Sequence, residues 1–172
     1  MSTISNNNYY YSIFTIRQVL DMAINSLVKY KDFHVSNIGK DFTRNRKVSC
    51  KTLIELMLQL SSKTIQSDLM DFFGSVKNMS TASAVCQQRA KLSYTAFPRI
   101  FHQFTSYFNN YKTYNGYYLL ACDGSDINIA YNPKDSSTHH GNNTTKGFNQ
   151  LHLNALFDVM NCVYMDVVRW AI

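Results

Sequence analysis

The apolar pattern of this chain changes period once, from steps of three and four residues up to Phe108 to steps of two after Gly116. That switch limits the fold to a set of helices followed by a set of strands, an α+β arrangement. In residues 15–28, Ile16, Val19, Leu20, Ala23, Ile24 and Leu27 form one helical stripe. Ser49 is placed to cap a second helix carrying Leu53, Ile54, Leu56, Met57 and Leu58. After Ser61 and Ser62, a third helix repeats Ile65, Leu69, Phe72 and Phe73 and stops at Gly74. Ser80 or Thr81 opens a fourth, over residues 82–92. Phe97, Phe101, Phe104 and Phe108 mark a fifth, whose start Pro98 delays or kinks.

Beyond the Asn115-Gly116 turn, residues 117–122 read as a buried strand ending in the turn Asp123-Gly124-Ser125-Asp126. Residues 127–130 alternate, residues 132–150 are polar, and the runs 151–157 and 162–170 form a hairpin across Met160-Asn161. The expected organisation is a helical region over residues 1–112 and a strand region over residues 113–172.

With 45% apolar residues and only 16% charged ones, the chain can build a core and is excluded from the disordered class. No window holds the roughly 18 to 20 unbroken apolar residues of a membrane span, and Met1 leads into a polar Ser/Asn run. A cytoplasmic protein without a membrane partner is expected. Cys50, Cys86, Cys122 and Cys162 show no Cys-x-x-Cys pairing, so they are expected reduced and buried rather than zinc-bound or bridged.

The net charge of +6 is unevenly placed: residues 1–112 carry +8 and residues 113–172 carry −2. A basic helical half favours polyanions, nucleic acid first among them. Its candidate contacts are Arg44, Arg46 and Lys47 in the polar connection 42–47, and the fourth helix. There Ser83, Gln87 and Lys91 recur at four-residue steps beside Gln88 and Arg89. Glutamine and arginine can make paired hydrogen bonds to base edges, and lysine supplies a charge for phosphate. A helix, a turn through residues 74–79 and this second helix make the outline of a helix-turn-helix. A solvated polar face is the plainer reading of the same residues.

Asp123, at the end of an apolar strand, calls for a compensating partner. Either a divalent metal or an Asx-type turn around Gly124 would provide one. Asp126 could share a metal with Asp123 only if the strand bulged at Gly124, because in a regular strand the two point to opposite faces.

Three segments together resemble the DDE transposases of bacterial insertion sequences, and within them the insertion-sequence-four family. They are Leu119-Leu120-Ala121-Cys122-Asp123-Gly124-Ser125-Asp126-Ile127-Asn128, then Lys146-Gly147-Phe148-Asn149-Gln150-Leu151-His152-Leu153-Asn154-Ala155-Leu156-Phe157-Asp158, and Gln87-Gln88-Arg89-Ala90-Lys91. The resemblance runs from about residue 10 onward. It implies a helical DNA-binding region followed by an RNase H-like catalytic core, of which residues 113–172 would hold the first three strands, an antiparallel meander. It implies that Asp123 is the first metal-binding aspartate of the catalytic triad, with Mg2+ as the metal, and that Lys146 contacts DNA. The second aspartate, the glutamate and the Tyr-Arg-Glu-Lys motif of the family have no counterpart here, and the single glutamate, Glu55, lies in the helical half. A truncated core follows, with an apolar face including Val163, Met165, Val167 and Trp170 left uncovered. The strand region would then be loosely held or dimeric.

The implied function is that of the N-terminal part of a transposase, binding double-stranded DNA at insertion-sequence ends. The intact enzyme would carry out Mg2+-dependent cleavage and strand transfer. A homodimer or intact transposase is the implied protein partner. The rival readings are a stand-alone DNA-binding regulator that inhibits transposition, and a non-functional gene remnant.

Overall fold

The computed structural model describes residues 11–108, 112–141 and 146–170, with the Trp170 side chain outside the description. It is an α+β structure of five α-helices and one antiparallel sheet. The chain divides into two compact units, Met1–Phe104 and Thr105–Ile172, the division falling in the last turns of the fifth helix.

In the first unit each of the first four helices begins where a hydroxyl side chain accepts an otherwise unpaired backbone N–H. Ser12 caps α1 (Ile13–Lys29), Ser49 caps α2 (Cys50–Gln59), Thr64 caps α3 (Ile65–Phe73) and Thr81 caps α4 (Ala82–Arg89). Gly74 ends α3 with a left-handed φ of 68°, its N–H bonded to the Met70 carbonyl. In α5 (Ala96–Ser106), Pro98 occupies the first turn, where its missing N–H breaks no helical bond. A 3-10 turn at Lys31–His34 follows α1.

Two groups of buried side chains hold these helices together. One joins Ala23, Ile24 and Leu27 to Cys50, Ile54, Ala96 and Ile100. The other joins Val48, Leu53, Leu56, Leu69 and Val85. Phe42 and Leu92 pack against both groups, so the 42–48 loop and the end of α4 are seamed into one core. Truncating a side chain as enclosed as Leu53 would cost about 2–5 kcal/mol.

The second unit is built differently. Its strands are β1 (Leu120–Ile129), β2 (His139–His140), β3 (Phe148–Asp158) and β4 (Val163–Trp170). β3 is central, with β1 along one edge; β4 and the short β2 share the other. β1, β3 and β4 thus form the antiparallel meander expected of the strand region. Asn115 and Gly116, with φ of 49° and 84°, make the tight turn that closes the reciprocal Tyr114–Tyr117 pair. No apolar residue of this unit is among the fully buried ones described; the enclosed side chains of the sheet and its loops are Thr138, Asn149 and Asp158.

These enclosed polar groups act as staples. The Asn149 amide donates to the Asn132 carbonyl and to Thr138 Oγ1, and its oxygen accepts from the Asn132 N–H at 2.7 Å. Asp158 accepts the N–H groups of Met160 and Asn161, each at 3.0 Å, and so shapes the β3–β4 hairpin loop.

Four expectations need correction. Residues 117–122 are not a buried strand, since every residue of β1 except Ile129 is exposed. Asp123-Gly124-Ser125-Asp126 is not a turn: β1 pairs with β3 without interruption from Leu120 opposite Asp158 to Ile129 opposite Asn149. All four cysteines are free, but only Cys50 is buried, because Cys86 lies on the outer side of α4 and Cys122 and Cys162 belong to the open sheet. Finally, α4 ends at Arg89, and the connection from α3 to α4 takes the eight residues 74–81, longer than the three or four of a helix-turn-helix turn.

Candidate nucleic-acid interface

The 36–48 segment is pinned before its basic residues begin. Asp41 accepts both the backbone N–H and the side-chain amide of Asn37 through Oδ2, while the Lys40 and Asp41 N–H groups bond the Asn37 carbonyl. Gly39, at φ 72°, makes the tight turn inside this ring of bonds. Further on, Lys47 Nζ donates to the Lys77 carbonyl at 3.2 Å, tying the loop to the connection before α4.

The end of α4 is fixed against the same segment. The Ser36 N–H donates to the Lys91 carbonyl at 2.9 Å, the Ser93 N–H donates to the His34 carbonyl, and Val35 bridges Leu92. These bonds bring Lys91 beside a loop some fifty residues earlier in the chain. The result is a cleft of about 360 Å³, lined by Lys40, Arg44 and Arg46 on one wall and by Gln88 and Lys91 on the other, over Phe42 and Val48.

Four cationic side chains therefore line one concavity, and among the described residues no carboxylate lines it. Such a grouping raises the local concentration of anions. Lys40 was not singled out by sequence, although it stands just ahead of the Arg44, Arg46 and Lys47 run. Arg44 and Arg46 are exposed and Lys91 is half-buried.

The fourth-helix residues separate into two groups. Ser83, Gln87 and Arg89 are exposed, with Ser83 and Gln87 one turn apart on the outer side. Gln88 is 6% exposed, and its Oε1 accepts from Lys91 Nζ at 3.3 Å. Its expected role at a base edge is therefore not supported by its position, since the side chain is turned inward beside Val85. Lys91 lies past the helix end, so the stripe Ser83, Gln87, Lys91 stops at Gln87.

In the second unit the unbroken β1 ladder places Asp123 and Asp126 on opposite sheet faces. Asp126 shares its face with His152, whose Nδ1 is 2.7 Å from Asp126 Oδ1. Asp123 sits opposite Ala155, on the face that also carries Ile127, Ile129, Leu151, Leu153 and Phe157. A two-metal centre needs several hard carboxylate oxygens converging on one point. Among the described residues no group of three His, Cys, Asp or Glu side chains converges in this way, and the bulge that would bring Asp126 to Asp123 is absent. The residues around Asp123 do not by themselves fit a magnesium site. Among the described residues the sheet bulges elsewhere, in β4 at Met165, between the pairs Leu156–Asp166 and Phe157–Tyr164.

Lys146 is exposed, with Nζ 5.1 Å from the centre of the Tyr131 ring. His139 and His140, expected in a loop, form β2. Gly147 is required beside them, because at φ 72° a β-carbon there would meet the His139 ring and the His140 carbonyl. Among the described residues no helix is long and apolar enough to cross a membrane. Comparison with known proteins finds no family model, no curated protein and no solved structure that matches this chain.

Proposed function

We propose that this chain is the N-terminal part of a DDE transposase of the bacterial cytoplasm and that its helical unit binds double-stranded DNA. The observation that carries the binding reading is the convergence of Lys40, Arg44, Arg46 and Lys91 on one cleft of the unit whose α4 also exposes Ser83, Gln87 and Arg89. The transposase assignment is supported by the three segments that resemble that family. In this reading Asp123 belongs to the catalytic centre of the intact enzyme, where magnesium would serve to stabilise charge in phosphoryl transfer. In this reading the chain alone binds DNA without cutting it, since among the described residues Asp123 belongs to no group of three His, Cys, Asp or Glu side chains that could hold a metal ion.

The test is fluorescence-anisotropy titration of insertion-sequence-end duplex and scrambled duplex across a salt series. Affinity should fall steeply with salt, and the double variant R44Q/R46Q should flatten that slope by about two units, near one per lost phosphate contact. Absence of binding at low salt, or an unchanged slope in R44Q/R46Q, would remove the interface. Magnesium-dependent nicking that disappears in Asp123→Ala would overturn the non-catalytic reading.

A further inference from the structure

We infer that the cleft between the 39–48 loop and the end of α4 is a seat for a phosphate group, gripping phosphate oxygens rather than a base edge. The inference rests on the DNA-binding reading for the source of that phosphate and adds to it what the cleft recognises.

The chemistry of the lining carries the argument. A base edge presents donors and acceptors together, whereas a phosphate presents acceptors only. The cleft is correspondingly one-sided. Lys40, Arg44, Arg46 and Lys91 contribute donors alone. The Gln88 carboxamide oxygen, an acceptor on the lining, is already bonded by Lys91 Nζ at 3.3 Å. The acceptors among the lining side chains are Gln88 Oε1, bonded by Lys91, and the Thr43 hydroxyl, whose proton goes to the Lys40 carbonyl at 2.9 Å; the four cations outnumber them.

No neighbour neutralises this set. None of the four cations is in an ion pair among the described residues, whose pairs are Lys51–Glu55, Lys63–Asp71 and His152–Asp126. Asp41, the acid adjacent in sequence, is 6% exposed and bonded to Asn37. The walls are held in place without a ligand, by the Ser36–Lys91 and Lys47–Lys77 bonds, so little ordering is needed when an anion enters. A cleft of about 360 Å³ exceeds a bare phosphate and leaves space for the sugar attached to it. The ligand chemistry is that of a phosphate ester, met either as a backbone diester of DNA or as a terminal or free phosphate.

Amide chemical-shift titration of the full chain with inorganic phosphate tests the seat. Saturable shifts confined to residues 39–48 and 88–91 are expected, with affinity reduced at least tenfold in Lys91→Gln and unchanged in Lys63→Gln, a helical-unit cation outside the cleft. Duplex DNA added to the phosphate complex should displace phosphate from the same amides, while a duplex with neutral methylphosphonate linkages should not; this pair of results assigns the seat to a backbone diester. Phosphate binding that duplex leaves in place supports the seat and assigns it to a terminal or free phosphate, removing the cleft from the DNA interface. Duplex binding with no saturable phosphate shift at the cleft, or equal affinities in wild type and Lys91→Gln, overturns the seat and leaves the DNA-binding reading standing.

Discussion

The imidazole of His152 lies over Gly124, so close that a β-carbon on Gly124 would stand 3.0 Å from its Cε1 and Nε2. The ring is held there by the 2.7 Å bond between its Nδ1 and Asp126 Oδ1 on the neighbouring strand. The glycine in Asp-Gly-Ser-Asp is thus explained by the side chain above it, not by a turn. Gly124→Ala should displace the ring, break the Asp126 bond and cost about 1 kcal/mol. Urea unfolding followed by a probe in the sheet measures the loss. In a His152→Ala background the same substitution should cost clearly less, and equal costs in both backgrounds would contradict the steric account.

The distribution of buried apolar side chains predicts unequal stability. Ala23, Ile24, Leu53 and Ile54 are all at or below 2% exposed, whereas β1 is open along nearly its whole length. Native-state hydrogen exchange should therefore protect the amides of α1 and α2 more strongly than those of β1, with opening of the sheet as a separate event. Leu53→Ala should lower protection throughout the first unit by about 2–5 kcal/mol while leaving the β1 amides unchanged. Equal protection across both units would refute this.

Asp135 gives the second unit a dependence on pH. Hydrogen bonds from the Ser137 hydroxyl and the Thr138 hydroxyl, aided by the Ser137 N–H and by Arg169, hold its carboxyl below the usual carboxylate range. A depressed folded-state value means that the stabilisation is complete above the pKa of the unfolded chain and disappears as pH falls through the lower, folded value. The loop at residues 132–138 should loosen in acid, seen as faster exchange of the Thr138 and His139 amides, which bond the Asp135 carbonyl. In Ser137→Ala/Thr138→Val the carboxyl should titrate closer to the ordinary carboxylate range. Titration unchanged in that variant would remove the stated cause.

Gln87 and Gln88 are adjacent in sequence and opposite in environment. Gln87→Ala, at an exposed position, should leave stability within about 0.5 kcal/mol of wild type. If α4 meets bases, it should reduce discrimination between duplexes by about 1–3 kcal/mol at one base pair. Gln88→Ala should lower the melting temperature, because it opens space beside Val85 and removes the partner of Lys91. Paired anisotropy and thermal-denaturation measurements separate the two, and the reverse assignment would show that α4 presents its other face.

What short-range pattern settled is the set of elements. Ser49, Gly74 and the choice between Ser80 and Thr81 located helix ends, because a cap is a bond within one turn of chain. The switch to period two located β3 and β4, because alternation is a property of one strand. Unequal charge in the two halves was also plain from composition. Three matters depended on partners far along the chain. Asp123 to Asp126 became strand rather than turn because β3 supplies an unbroken ladder of hydrogen bonds opposite them. Gln88 turned inward because α4 packs Val85 against α2 and α3, a facing that eight weakly patterned residues do not specify by themselves. Lys40, Arg44 and Arg46 met Lys91 because residues 34–36 pair with residues 91–93. Such pairings are set by which surfaces the core brings together, and no local spacing encodes them.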